Sequence, residues 1–289
     1  MSWVEITEPR QRGELLAAAV GRAYRAKAAA ERQDVPVPES AAGEIWCTDD
    51  GSAAVWAIPR EDEVVLADLH TTGQDPAAVW MLLDGLAAEA GWTGIWHFSS
   101  FSGDAFMTAL AESADARRVA TKMRVEVAEV PAPAGIRLHP MDDADYAAFR
   151  DASDEEYAQE RFESGADPTI EAARRTTAEQ MLELLPEGLQ TPGNRFWTVR
   201  DDDDRRAGIL WLHLRENLGF ICDIAMDEDR RGQGLGTQTL RAAAEETARA
   251  GLDVLALNVF GSNPGARRLY EREGYRITES LWSVPIPRR

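Results

Sequence analysis

The segments "AEAGWTGIWHF" and "ARAGLDVLALN" share one pattern: a helix end, a glycine stop, then a short apolar run, with Gly91 and Gly251 set 160 residues apart. The same order of elements surrounds both. In the second half, "IRLHP" reads as a strand, "DYAAFRDASDEEYAQERF" and "TIEAARRTTAEQMLELL" as helices, and "RFWTVRDDDDRRAGILWLHL" as a hairpin turning at Asp201 to Asp204. "LGFICDIAM" is an apolar strand, followed by a helix from about Gly236 to Ala250, the strand "DVLALNVF", a short helix in "NPGARRLYEREG", and a closing strand in "YRITESLWSVPI". The first half runs likewise: "WVEIT", a helix through "RGELLAAAVGRAYRAKAAA", a hairpin turning at "DDG", the strand "EVVLADLHT", a helix, "WTGIWHFSS", a helix, and a last strand in "RRVATKMRVEVAEV". A repeat of this length implies duplicated domains. "EVPAPAG", Glu129 to Gly135, is a stiff proline-bearing connector, so the expected domains are residues 1–130 and 136–289.

Composition removes several classes of function. An apolar fraction of 44% with 28% charged residues is that of a soluble globular protein. No apolar run approaches the ~20 residues that span a bilayer, and "MSWVEITEPRQRGELL" has no apolar stretch resembling a secretion leader. The two cysteines, Cys47 and Cys222, form no metal-ligand pattern, so the expectation is no metal site and a cytoplasmic location. A net charge of −19 disfavours nucleic acid and anionic membranes as partners. The same charge either favours a cationic amine substrate or serves solubility.

"DEDRRGQGLGTQTL", residues 227–240, carries the chemistry. A dinucleotide fingerprint needs glycines at positions one, three and six, and Thr237 stands where the third should be. A Walker loop needs a Gly-Lys pair that is missing. What remains is Arg-x-x-Gly-x-Gly, spanning Arg231, Gly232, Gln233, Gly234, Leu235 and Gly236. Glycines let successive N–H groups turn toward one point, and a following helix adds unpaired donors and partial positive charge, each worth roughly 0.3–1 kcal/mol when exposed. The competing reading is a tight strand-to-helix turn without a ligand.

The second half, about residues 136–289, resembles the GCN5-related N-acetyltransferase (GNAT) family. The glycine stretch matches its signature, and "NVFGSNPGARRLYEREGYRIT" matches its later segment, with Asn263, Ala266, Tyr270 and Gly274 in order; "LLPEGLQTPGNRFW" resembles a bacterial branch. The resemblance implies an α/β (α+β) fold: two tandem domains, each a mixed, mostly antiparallel central sheet flanked by helices. It implies acetyl transfer from acetyl-CoA, as co-substrate and without a metal, to a primary amine. The pantetheine arm would pair with the backbone of Ile224, Ala225 and Met226, and the pyrophosphate would sit on the amides from Arg231 to Thr237. Asn263 and Ala266 would adjoin the pantetheine region. Tyr270 would protonate the departing thiolate.

Direct transfer also needs a base, for which Asp223 is the candidate, with a structural carboxylate as the competing reading. Asp142, Asp154 and Glu155 are further carboxylates on the early helix. The four histidines read as packing or surface residues, and Cys222 as an inert core thiol.

At the 160-residue offset, Arg231, Gly234, Gly236, Asn263 and Tyr270 correspond to Thr71, Gln74, Pro76, Gly103 and Leu110. The first half therefore reads as a degenerate copy without acetyl-CoA. One-half decay of a tandem also occurs in mycothiol synthase, which makes a small thiol-sugar conjugate a second candidate acceptor. The leading expectation is an acceptor amine on a small molecule or peptide; acetylation of a protein lysine or N-terminus, and a non-catalytic acetyl-CoA-binding regulatory module, are the alternatives, with Tyr270 favouring catalysis. Either a monomer or a homodimer is compatible with an internal domain pair.

Overall fold

The structure, a computed structural model, describes residues 2–32, 34–38 and 40–287. In chain order its elements are β1 (Trp3–Glu5), α1 (Pro9–Glu31), β2 (Glu44–Thr48), β3 (Ala53–Pro59), β4 (Glu63–Thr71), α2 (Pro76–Ala90), β5 (Ile95–Phe101), α3 (Ala105–Ser113) and β6 (Arg117–Glu126). There follow β7 (Ile136–Pro140), α4 (Asp143–Ser164), α5 (Ile170–Leu184), β8 (Asn194–Asp201), β9 (Arg206–Leu214), β10 (Gly219–Met226), α6 (Leu235–Arg249), β11 (Val254–Phe260), α7 (Pro264–Arg272) and β12 (Arg276–Pro285). Pairing is mixed and mostly antiparallel, as expected; β4–β5 and β10–β11 are parallel. No helix of the described residues is long and apolar enough to cross a membrane.

Two compact units emerge, and they do not divide at the proline-bearing connector. One is Met1–Ala120 with Thr278–Arg289, the other Thr121–Ile277. The closing strand of each half has changed sides. β12, expected to finish the second sheet, pairs antiparallel with β5 from Glu279↔Phe101 to Pro285↔Ile95. β6, expected to finish the first, lies beside β11. The side chains give the reason: Trp282 and Ile286 are buried in the first core with Trp96, Phe98 and Leu83, whereas Met123 and Val125 are buried in the second with Leu255 and Leu257.

In the second unit the strand order is β6-β11-β10-β9-β8-β7. Alternation on β9 sorts its faces: Leu210 and Leu212 enter the core under α6, while Ile209 and Trp211 enter the one under α4 and α5. α6 is placed by its periodicity, burying Leu240, Ala243, Ala244 and Thr247 on one stripe. It lies so close to β10 that a Cβ on Gly219 would collide with the Thr247 hydroxyl. α4 starts at Asp142, whose Oδ1 accepts from the Asp145 amide at 2.8 Å, and ends at Gly165 in the left-handed conformation. It is tied to α5 through Arg174–Glu155 at 2.6 Å and Tyr157–Gln180 at 3.2 Å.

The first unit repeats this plan, with order β1-β2-β3-β4-β5-β12. α1 covers one face with Ala19 and Val20, and α2 and α3 cover the other with Leu83, Leu86 and Leu110.

Candidate functional site

β10 and β11 pair only at Gly219↔Leu255, Phe220↔Ala256 and Ile221↔Leu257. Beyond Ile221 that ladder ends, yet β10 stays paired with β9 as far as Met226↔Gly208. Ile224, Ala225 and Met226 therefore present a backbone edge on the β11 side. The two strands part at a bulge, where Ile221 opposes Leu212 and Asp223 opposes Trp211, leaving Cys222 as the extra residue. A bulge re-aims side chains, and here it flips the alternation. Ile221, Ile224 and Met226 pack toward the core under α6, Cys222 and Ala225 toward α4. Asp223 falls on the α4 side as well, where its Oδ2 accepts from Ser153 Oγ at 2.5 Å.

On α4, Ser153, Glu156, Tyr157 and Glu160 share a stripe at helical spacing, and the Tyr157 ring meets Phe260 of β11 at 5.6 Å. Burial pushes the Glu160 carboxyl up to about 7, with Glu156 and Asp223 adding repulsion and the neighbouring Asn263 amide opposing it. Burial likewise pushes Asp223 up to about 6, against the Ser153 hydrogen bond, with Glu156 again raising it. Tyr270, on α7, is buried at 8% exposure. Its phenol is raised by burial first and then by Glu160 and Asp223. The strand bulge and the two helices α4 and α7 thus bring Asp223, Glu160 and Tyr270 into one electrostatic group.

Glu160, Glu156 and Ser153 were not among the sequence candidates. The signal was available, since they recur three and four residues apart on a helix with Tyr157. The carboxylates named instead are occupied elsewhere: Asp142 caps α4, Asp154 pairs with Arg150 at 2.6 Å, and Glu155 pairs with Arg174. His97 lies beside Glu63 at 3.4 Å and His139 beside Asp204 at 3.7 Å. Burial pushes the Cys222 thiol up to about 12, so it stays neutral.

At the end of β10 the two arginines diverge. Arg230 is committed to Asp201 at 2.5 Å, holding the loop to the β8–β9 hairpin; Arg231, exposed, donates from Nε to the Met226 carbonyl at 3.1 Å. Gln233 donates to the Asp229 carbonyl at 3.0 Å. Gly232 and Gly234 have φ of 75° and 81°, and a Cβ on either would meet nothing within 4 Å. They are required for backbone conformation, and they leave open space. α6 begins at Gly234 without a side-chain cap. Among the described residues no acceptor meets the amides of Leu235, Gly236 and Thr237, while that of Gln238 reaches Gly234 O at 3.3 Å. A Cβ on Gly236 would make ordinary contacts with Met226 and Leu269. Asn263 caps α7, its Oδ1 accepting from the Ala266 amide at 3.0 Å.

Residues 149–275 match the family model described as "Acetyltransferase (GNAT) family". The "Uncharacterized N-acetyltransferase YycN" of Bacillus subtilis (strain 168) is 30% identical over 155 residues, covering 52% of this chain and 99% of that one. The chain belongs to the GNAT acetyltransferase family. As a GNAT protein it is an acyltransferase, of a family whose enzymes use acetyl-CoA. The "Mycothiol acetyltransferase" of Clavibacter sepedonicus is 28% identical over 236 residues, 79% of this chain and 75% of that one. A solved "GCN5-related N-Acetyltransferase" from Sphaerobacter thermophilus shares the fold over 93% of this chain and 92% of its own, with TM-score 0.54 and 16% identity.

The first unit carries the same strand geometry with different chemistry. The parallel ladder of β4 and β5 ends at Leu66↔Phe98, and Ala67 is the bulged residue. Asp68 follows it, as Asp223 follows Cys222, but is held by Arg22 of α1 at 2.6 Å. The loop to α2 holds four residues against the eight between β10 and α6. The fixed offset of the sequence therefore needs correction: no residue of the first unit stands where Arg231 does, and Asp104, capping α3 through the Met107 amide at 2.9 Å, is the counterpart of Asn263 in place of Gly103.

Proposed function

We propose that the chain is an acetyl-CoA-dependent N-acetyltransferase that acetylates a primary amine by direct transfer in its second unit. The observation that carries this reading is the parting of β10 and β11 at the bulge, which sets Asp223 beside Glu160 and Tyr270 and opens the β10 edge toward an uncapped helix start. The donor set suits a pyrophosphate-bearing thioester: the amides of residues 231–237, two left-handed glycines with open space beside them, and the edge of Ile224, Ala225 and Met226. Asn263 and Ala266, at the start of α7 just after β11, would adjoin the pantetheine arm. Acetyl-CoA, when bound, supplies an acyl carbon that gains a bond to nitrogen as its carbon–sulfur bond breaks. The chain's residues then handle two protons. One leaves the acceptor nitrogen for the Asp223–Glu160 pair, and one passes from the Tyr270 hydroxyl to the sulfur. Such groups typically contribute about 10²–10⁴ each in rate.

The first unit, in this reading, binds no acetyl-CoA. Its loop is short, Pro76 removes an N–H at the start of α2, and the N-cap Asp75 adds a negative charge at that helix start. A second reading, acetylation of a mycothiol-type acceptor, draws on the 79% span of the Clavibacter sepedonicus match.

Calorimetric titration of acetyl-CoA tests the core of the proposal. The intact chain should bind one equivalent, and a Gly234→Asp, Gly236→Asp variant that melts at an unchanged temperature should bind none. Two equivalents would restore the first unit as a binding domain. No binding to the intact chain would remove acetyl transfer altogether.

A further inference from the structure

Most carboxylates drawn into this fold have a cation beside them. Asp68 has Arg22 at 2.6 Å, Asp167 has Arg161 at 2.6 Å, Asp201 has Arg230 at 2.5 Å, and Glu273 has Arg241 at 2.9 Å. Glu160 and Asp223 break the pattern, and the exposed Glu156 beside them adds a third negative charge. They repel one another, and their favourable neighbours are neutral: the Ser153 hydroxyl, the Asn263 amide and a backbone N–H. Among the described residues no arginine or lysine pairs with any of the three. Like charges gathered without a counter-ion oppose folding and persist where a ligand supplies the missing charge.

Two further observations point to that ligand. Tyr270 is more than nine-tenths buried, its hydroxyl has no hydrogen-bond partner among the described residues, and it lies within the electrostatic reach of Glu160 and Asp223. The first unit is an internal control: at the same bulge, Asp68 has its cation built into the chain. The second unit has Ser153 at the corresponding partner position, leaving the positive charge to come from outside.

We propose that the acceptor is a diamine or polyamine whose reacting nitrogen lies among Asp223, Glu160 and Tyr270 and whose second ammonium is held by Glu156. This rests on the transfer reading for the identity of the reacting nitrogen. Two carboxylates suffice to take its proton and hold its charge; the third is in excess for a monoamine. Glu156 stands one helical turn, ~5.4 Å, along α4 from Glu160, toward the exposed end of the stripe. A second ammonium on a short aliphatic chain reaches it without being fully desolvated.

The test compares 1,4-diaminobutane with n-butylamine as acceptors for the full chain with acetyl-CoA, following thiol release, and in parallel measures calorimetric binding of each amine to the CoA-loaded protein. The diamine should lead in kcat/KM by about tenfold or more, the range of one charge-assisted hydrogen bond, and Glu156→Gln should reduce that ratio about tenfold. The binding preference should shrink with it. Equal kcat/KM for the two amines keeps the transfer reading and overturns this one, as does a diamine preference that survives Glu156→Gln. Binding of 1,4-diaminobutane that weakens in Glu156→Gln, without turnover of any amine, upholds the dication site and overturns transfer.

Discussion

Asp223 owes its position to the residue before it. Without the bulge at Cys222 the alternation of β10 would send Asp223 under α6, into a core of leucines and alanines; with it, the carboxylate meets Ser153. Its proton chemistry follows from that placement. Burial raises Asp223 to about 6 and Glu160 to about 7, and around them lie Glu156, Glu163, Ser153, Asn263 and Tyr270. Because both are raised, the base form is gained as pH climbs, so kcat/KM should increase between about pH 5.5 and 8. Glu160→Gln removes the upper step and should move the inflection to lower pH. Ser153→Ala withdraws a hydrogen bond from the charged form of Asp223 and should move it to higher pH. Pre-equilibrated pH–rate profiles of the three proteins check both signs, and shifts in the same direction would dissolve the pair. The same raised groups make the folded state bind protons more readily than the unfolded chain, so their contribution to stability falls as pH rises from about 4 to 7. Tyr270→Phe should leave acetyl-CoA affinity within about twofold and slow turnover by about 10²-fold or more; unchanged single-turnover rates would take the phenol out of the chemistry.

At the scale of elements, the second half was legible where a local pattern encodes the structure. α6 was readable from its apolar stripe, its glycine loop from the spacing of Gly232, Gly234 and Gly236, and the hairpin from four aspartates at its turn. Three features were not legible. A bulge is one residue of register, invisible without the partner strand. The stripe of Ser153, Glu156 and Glu160 looks like the solvated face of an acidic helix until β10 is known to lie beneath it. The exchanged closing strands depend on pairing between distant segments, which β-propensity does not specify. The close approach of α6 to β10 gives an element-scale prediction. Gly219→Val forces Thr247 aside and should destabilise the second unit by about 1–3 kcal/mol, measured as a lower urea midpoint for exchange protection in β9 and β10. No loss there would show that α6 can shift without cost.

For the whole molecule the exchanged strands matter most. Trp282 is in the first unit's core, where its indole N–H donates to Ser100 Oγ at 2.9 Å, although it is encoded after every element of the second. Trp282→Ala should cost about 3–5 kcal/mol, and the damage should appear in β5. Hydrogen exchange of the intact chain should speed up in Ile95–Phe101 and leave Arg206–Leu214 protected. Loss confined to the second unit would contradict the pairing of β12 with β5.

That pairing also sets an order in time. A chain leaves the ribosome at ~5–20 residues per second, and domains ordinarily fold as they emerge. Here the strand that completes the earlier unit is synthesised after the later unit is entire. The second unit can settle first, while the unit made before it waits with the β5 edge uncovered. Nascent chains of this protein should therefore be most exposed to chaperones and to aggregation through their oldest residues.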